Sequence, residues 1–169
     1  MEELICGKYR MRIPAAQFSL STDTMALADF ARVKHSARVC DLGCGSGALG
    51  LLLLAGDETL HVTGIEIQEV AARCAMENAA LNSLSGFSVL HGDLREYRTL
   101  LPANGFDAVL SNPPYYPVES GAIADDVPLA IARSELFCTL SCLCACAAWC
   151  LRFGGSFFLV HKPERLTDL

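Results

Sequence analysis

The sequence predicts a doubly wound α/β fold, in which helices cover both faces of a mostly parallel sheet. Short apolar runs alternate with segments of helical length, and each strand-like run is closely followed by Gly, Asp, Asn or Pro. A glycine-rich loop stands where the first strand would pass into a helix. In such sheets ligands bind outside the carboxyl ends of the strands, so a candidate site is expected there.

Five strands and four helices are expected along the chain. The strands are short runs that carry Val, Ile, Leu or Phe, at residues 39–42, 61–66, 87–91, 106–111 and 156–161. The helices have helical length and composition, at residues 47–55, 68–82, 95–101 and about 131–152. Gly86 and the Gly154-Gly155 pair are interpreted as breaks at element ends.

The length and composition indicate one domain. With 169 residues, 52% of them hydrophobic, the chain can bury a sizeable core. We expect a single domain over 1–169 that begins with a lead-in over 1–37. The chain opens with Met-Glu-Glu and shows no secretory signal, which favours a cytoplasmic protein. The uncharged stretch 136–151 is too short and too rich in Cys, Ser and Thr to span a membrane, so a buried core helix is expected there.

Nine cysteines in a chain without an export signal indicate a reducing compartment, so disulfides are not expected. Cys138, Cys142, Cys146 and Cys150 recur at every fourth position. One rigid helix cannot wrap four thiolates around a tetrahedral ion, so no metal site is expected. We interpret these cysteines as small hydrophobic residues on the buried face of a helix.

The net charge of −6 argues against tight, non-specific binding of nucleic acid. Basic residues near the N-terminus could nevertheless form a local strip that contacts an anionic partner, and ordinary solvated charges are the alternative. The members of this basic strip are Lys8, Arg10, Arg12, Arg32, Lys34, His35 and Arg38.

The glycine-rich loop is Asp41-Leu-Gly43-Cys-Gly45-Ser-Gly47. Glycine at these positions allows positive φ and lets the backbone approach a ligand closely. The G-x-G-x-G spacing differs from the G-x-G-x-x-G of dinucleotide folds, and Asp41 precedes it at the strand end. The pattern resembles that of S-adenosylmethionine-dependent methyltransferases, and that resemblance implies this cofactor.

A second motif, Asn112-Pro113-Pro114-Tyr115, follows the fourth strand. It resembles the catalytic loop of methyltransferases that act on a planar, conjugated nitrogen. The lone pair of such an amine is delocalised, so catalysis needs geometry: the Asn112 oxygen and the Pro113 carbonyl can each accept one N–H. Two prolines fix the backbone, and Tyr115 offers a face on which a base can stack. A proline-rich turn without a catalytic role is the alternative.

Two acidic residues follow the next strand ends. Glu66 is placed to accept the ribose hydroxyls of the cofactor, with Ile67 beside it; otherwise it is a solvated turn residue. By the same methyltransferase resemblance, Asp93 would lie near the adenine amine, with Leu94 against the ring. Asp93 could also cap a helix that begins near Arg95, and both roles are compatible.

Nearly the whole chain resembles one family, the bacterial tRNA (adenine-N6) methyltransferases that modify an adenosine beside the anticodon of a valine tRNA. Besides both motifs, the resemblance rests on a lead-in over 18–30 similar to F-S-x-D-[ST]-x-L-L-A and on the segments 64–69, 131–135 and 160–166. It implies a Rossmann-like class I methyltransferase fold, transfer to adenine N6 and a tRNA partner. It also implies that Asp23 and Thr24 approach the cofactor and that Arg133 lies near the site mouth. Asp23 could instead cap a helix, and Arg133 could be a surface ion-pair partner.

Such methyltransferases end with an antiparallel strand pair beyond the fifth strand, and that pair is expected to be missing from 1–169. Other functions remain open at this point. One is transfer to a glutamine side-chain amide of a release factor, which uses the same NPPY loop. Another is a DNA adenine methyltransferase, disfavoured because no target-recognition domain is visible. A third is a module that binds the cofactor without turnover.

Overall fold

The computed structural model describes residues 2–13, 20–113 and 139–163. Its centre is the predicted five-stranded parallel sheet, with strand order β5-β4-β3-β6-β7. The strands lie within a few residues of the predicted bounds, apart from the start of the last. They are β3 (Arg38–Leu42), β4 (His61–Glu66), β5 (Phe87–His91), β6 (Phe106–Ser111) and β7 (Leu151–Leu159).

Helices cover both faces of this sheet. They are α1 (Thr22–Phe30), α2 (Ala48–Gly56), α3 (Glu69–Leu81), α4 (Tyr97–Leu100), which follows a 3-10 turn (Leu94–Glu96), and α5 (Leu140–Cys150). Successive β3 side chains enter different cores: Val39 packs in one cluster with α2 side chains, and Cys40 packs in the other with α5 side chains. The doubly wound α/β prediction is therefore confirmed.

The boundary between α5 and β7 differs from the prediction at both ends of the helix. A helix through Thr139 is wrong, because this residue is extended and its hydroxyl caps α5 by accepting the Cys142 N–H at 3.2 Å. The helix ends at Cys150, and β7 begins at once at Leu151. Gly154 does not break the chain before the strand: with φ of +75° it lies inside β7, where the register against β6 shifts.

The lead-in contains a hairpin that the sequence did not predict, formed by the antiparallel strands β1 (Glu2–Ile5) and β2 (Tyr9–Arg12). Its turn has positive φ at Cys6 and Gly7. Two side chains, Asn78 within α3 and Asn82 directly after it, form hydrogen bonds with the β2 backbone as a neighbouring strand would. Asn82 exchanges two hydrogen bonds with the Arg10 backbone at 2.9 and 2.7 Å. Asn78 does the same with the Arg12 backbone at 2.8 and 2.9 Å, so the hairpin is fixed to the sheet layer through α3.

The cysteine interpretation fits the described part of α5. Cys146 and Cys150 are fully buried, whereas Cys142 and Cys144 are half-buried, and all eight described cysteines are free thiols. Within the described ranges no group of three or more potential metal ligands comes together. The absence of metal stays a prediction. None of the described helices combines the length and the apolar character needed to cross a bilayer.

Candidate active site

The strand order reverses between β3 and β6, and the two predicted motifs follow the carboxyl ends of these neighbouring strands. A buried hydrogen bond joins the two ends: the Ser111 hydroxyl donates to the Leu42 carbonyl at 2.7 Å. Because Gly43 follows Leu42 and Asn112 follows Ser111, the glycine loop and the asparagine lie at one edge of the sheet. The structure thus brings together the two motifs on which the functional prediction depends.

The glycine loop is built to leave one side open. Gly43, Gly45 and Gly47 have φ values of +77°, +55° and +88°. A Cβ added at Gly43 or Gly45 would meet no atom within 4 Å, so a ligand can approach the backbone at both positions. At Gly47 a Cβ would lie 3.0 Å from the Phe87 ring. Gly47 is therefore required by packing, whereas Gly43 and Gly45 face the space available to a ligand.

Glu66 supports this loop from the end of β4. Its side chain is 6% exposed, and its two oxygens accept the N–H groups of Gly45 and Gln68, each at 2.9 Å. Burial raises the pKa of Glu66 above its ordinary value, although the two backbone donors oppose the rise. Each carboxylate oxygen has a second lone pair, so these bonds are compatible with the predicted ribose contact.

Asp41 is a buried carboxyl with an unused acceptor atom. It is 1% exposed, and its Oδ2 has no hydrogen-bond partner among the described residues. Burial, and after it the charge of Glu66, raises the pKa of the Asp41 carboxyl to about 7. Such a group is costly in the isolated fold and would be stabilised by a nearby cation. The orphaned oxygen and the open glycines fit a cofactor that carries positive charge.

At the third strand end the structure shows the capping alternative for Asp93. Its carboxylate accepts the Arg95 backbone N–H at 2.9 Å and caps the 3-10 turn. The Arg95 guanidinium also binds both carboxylate oxygens and holds the pKa of Asp93 below its ordinary value. Leu94 is 9% exposed and packs with Leu42 and Ile65 in the core. The adenine contacts of Asp93 and Leu94 stay predictions, as does the cofactor contact of half-buried Ile67.

Asn112 is held by the lead-in. Its amide nitrogen donates to the Thr24 hydroxyl oxygen at 3.0 Å, in the first turn of α1. The suggestion that Asp23 caps this helix is wrong: Ser21 is the cap, accepting the Thr24 N–H at 3.1 Å, and Asp23 is exposed. The cofactor contacts implied for Asp23 and Thr24 stay predictions.

Half of the NPPY motif and one further candidate lie outside the described residues. Pro113 follows Asn112 within the described chain, whereas Pro114, Tyr115 and Arg133 lie outside the described residues. Their catalytic and substrate-binding roles stay predictions.

The sequence reasoning missed Asn78, which supports the glycine loop from α3. It is fully buried, and its amide nitrogen donates to the Ser46 carbonyl at 3.0 Å as well as to Arg12. It therefore links the hairpin to the loop that would receive the cofactor. Two asparagines four residues apart, Asn78 and Asn82, in an alanine-rich helix were the available signal.

The basic strip is largely neutralised in the fold. Lys8 pairs with Glu58 at 2.7 Å, His35 pairs with Asp57 at 2.6 Å, and Glu2 lies 3.8–4.0 Å from the guanidinium groups of Arg10 and Arg12. Arg32, Lys34 and Arg38 are exposed and form no ion pair within the described ranges, and the Arg38 guanidinium lies 5.5 Å from the centroid of the Phe106 ring. Arg32 and Lys34 have neither an ion pair nor a ring contact among the described residues, so these two side chains offer the clearest charge to an anionic partner.

Comparison with known proteins identifies related sequences. The family model described as methyltransferase small domain matches residues 17–166. The tRNA1(Val) (adenine(37)-N6)-methyltransferase of Escherichia coli O157:H7 is 33% identical over 151 residues, which are 88% of this chain and 60% of that protein. The protein of the same name from Porphyromonas gingivalis is 34% identical over 132 residues, 76% of this chain and 51% of that protein. This chain thus spans about half to three fifths of the length of these relatives.

Solved structures agree on the architecture. A predicted O-methyltransferase from Agrobacterium tumefaciens aligns with a TM-score of 0.64 and 25% identity, covering 87% of this chain and 64% of that one. The parallel sheet with its switch point at the glycine loop is therefore the Rossmann-like class I methyltransferase fold, as the sequence predicted.

Proposed function

The chain belongs to the methyltransferase small domain family, and on that premise we propose that it transfers a methyl group from S-adenosylmethionine to adenine N6 in a tRNA. The observation that carries this proposal is that Asn112 and the open glycine loop follow neighbouring strand ends at the switch point, which the Ser111–Leu42 hydrogen bond joins. A cofactor cradle and an amide that can orient an amine then lie at one edge of the sheet.

The cofactor would be held by residues from three strand ends, those of β3, β4 and β5. Gly43 and Gly45 allow close approach of the backbone, Asp41 offers a buried anionic oxygen, and Glu66 offers lone pairs to the ribose hydroxyls. Ile67, Asp93 and Leu94 would line the adenine side. When bound, S-adenosylmethionine supplies an electrophilic methyl group on a sulfonium. A buried carboxyl near such a cation recovers part of its desolvation cost.

Asn112 and Pro113 would act on the acceptor amine. The Asn112 side-chain oxygen and the Pro113 carbonyl each accept one N–H, which directs the nitrogen lone pair out of conjugation. Pro114 keeps this backbone rigid, and Tyr115 stacks on the acceptor base. The residues supply orientation, so no separate nucleophile is needed.

The acceptor is inferred from the relatives, whose names specify adenine N6 of a valine tRNA. A tRNA substrate agrees with a cytoplasmic location. The test is mass spectrometry of nucleosides from unmodified valine tRNA incubated with the chain and labelled cofactor. We expect label in N6-methyladenosine. In a parallel reaction with a release-factor peptide as the acceptor, label in the peptide and none in the tRNA would replace this proposal by transfer to a glutamine amide. Cofactor binding without transfer to either acceptor would replace it by a module without turnover.

Glu66→Ala is expected to weaken binding of S-adenosylhomocysteine by about 1–3 kcal/mol, the usual cost of unpaired hydrogen-bonding groups. The variant loses both the ribose acceptor and the carboxylate that holds the Gly45 and Gln68 N–H groups. Titration calorimetry measures the affinity, and circular dichroism should show an intact fold. Glu69→Ala, an exposed change in the first turn of α3, is the matched control. Equal affinities of the two variants would contradict the assignment.

Removal of Arg32 and Lys34 should reduce the salt dependence of tRNA binding. Each phosphate contact contributes roughly 0.7–0.9 to the slope of log K against log salt, so the double alanine variant should lose about 1.5. Fluorescence anisotropy with labelled tRNA between low and physiological salt gives the slope. Lys8→Ala is the control because Glu58 already neutralises this lysine. An unchanged slope in the double variant would place the phosphate contacts elsewhere.

A further inference from the structure

The orientation of the Asn112 amide decides what it offers to an amine. An asparagine side chain ends in one acceptor oxygen and one donor NH₂ group, and these exchange places when the amide turns over. Only the oxygen can accept an N–H from the substrate amine. The asparagine NH₂ group cannot, because it and the amine N–H are both donors. A catalytic asparagine therefore needs a partner that distinguishes its two ends.

Thr24 lies where such a partner is needed. Its hydroxyl oxygen is 3.0 Å from the Asn112 amide nitrogen, although 88 positions separate the two residues in the chain. The hydroxyl also lies 2.9 Å from the Ser21 hydroxyl. If Thr24 donates its proton to Ser21, only lone pairs face Asn112, and these select the NH₂ end of the amide.

Thr24 is itself held firmly. Its backbone N–H donates to the Ser21 side chain, which caps α1, and the buried Leu27 anchors that helix in the core. Asn112 follows β6 directly, at the end that Ser111 ties to β3. The contact thus joins two rigid elements, and its geometry does not depend on a long loop.

We propose that Thr24 is a positioning residue, which holds Asn112 with its oxygen toward the acceptor amine. The inference rests on the proposed function, because it assigns a purpose to the Asn112 amide. It differs from the cofactor contact that the family resemblance implies for Thr24, since it predicts an effect on turnover and none on cofactor affinity.

Thr24→Val and Thr24→Ser form a matched pair, because valine keeps the branched shape without the hydroxyl and serine keeps the hydroxyl. With the full chain and an unmodified valine tRNA transcript, we expect Thr24→Val to lower kcat about 10–100-fold. The KM for tRNA and the affinity for S-adenosylhomocysteine should stay within about threefold of wild type. Thr24→Ser should restore most of kcat. A loss of cofactor affinity in Thr24→Val, or equal kcat in Thr24→Val and wild type, would overturn the inference.

A second measurement does not depend on turnover. The Asn112 side-chain NH₂ signals can be assigned in the ¹⁵N NMR spectrum by their loss in Asn112→Ala. In wild type and Thr24→Ser, hydrogen bonding should slow solvent exchange of these protons, whereas Thr24→Val should accelerate it. Unchanged exchange in Thr24→Val would show that the contact does not hold the amide and would overturn the inference. If wild type shows the slow exchange but methylates no tRNA, the proposed function fails, and the catalytic purpose of Thr24 fails with it.

Discussion

Asn112→Ala is expected to lower methyl transfer by about 10²–10³-fold while the affinity for S-adenosylhomocysteine changes no more than a few-fold. The physical reason is positional: without the side-chain oxygen the amine keeps its lone pair in conjugation, and a misaligned reacting group forfeits much of the advantage of proximity. Cofactor affinity should survive because the glycine loop and Glu66 are held by contacts that do not include Asn112. Single-turnover methylation of tRNA and titration calorimetry measure the two quantities separately.

Tyr115 supplies the companion test for the same loop. Tyr115→Phe should be mild, since stacking requires the ring and not the hydroxyl. Tyr115→Ala should be severe, because each base–aromatic stack contributes about 1–3 kcal/mol. Normal methyl transfer by both Asn112→Ala and Tyr115→Ala would make the NPPY segment a structural turn and the assigned chemistry wrong.

The parallel sheet was predictable because its signals are local. Each strand is a short apolar run that ends at a turn residue, and parallel pairing then brings the carboxyl ends to one edge. This was enough to expect Asp41, Glu66 and Asn112 near one another.

Features that depend on distant contacts were missed. The hairpin β1–β2 is short. Its strand β2 is completed by hydrogen bonds to Asn78 of α3 and to Asn82 directly after that helix, 66 and 72 positions away. No local sequence pattern predicts such hydrogen bonds between distant residues. The boundary between α5 and β7 was misplaced for a related reason: Gly154 lies within the strand, and glycine alone does not distinguish a break from a register shift.

The Thr24 contact with Asn112 is another feature that depends on residues far apart in the chain. The sequence marked both residues through motif resemblance, but only the fold shows which atoms meet. At Asp93 the local signal was correct, since an aspartate ahead of a short helix caps it with or without a further role.

Asp41→Asn is expected to stabilise the isolated protein at alkaline pH and to lower its affinity for the cofactor. The folded-state pKa of Asp41 is about 7, raised from 3.8, so the folded state binds this proton more tightly than the unfolded state does. The free energy of unfolding should therefore fall as pH rises from about 4 to 7, by about 4 kcal/mol in all at 1.36 kcal/mol per pKa unit. The uncharged asparagine removes this loss, so urea unfolding at pH 8 should show a gain of up to about 4 kcal/mol. Asp29→Asn, an exposed change on α1, should leave the pH profile of wild type intact.

Cofactor binding should lower the pKa of the Asp41 carboxyl, so that the bound form favours the ionised carboxylate. A cationic ligand beside the buried carboxyl favours the ionised form and lowers its pKa, so binding at pH 6 should release a proton and affinity should rise toward pH 8. Calorimetric titration of S-adenosylmethionine, which carries the sulfonium charge, in buffers of different ionisation enthalpy and without tRNA measures the protons released. In Asp41→Asn the release should disappear and the affinity at pH 8 should fall about tenfold or more, because a neutral amide does not balance the ligand's positive charge. A wild-type stability profile that is flat from pH 4 to 8 would contradict the raised pKa of Asp41. Proton release that persists in Asp41→Asn would show that another group carries the titration and that Asp41 does not face the cofactor.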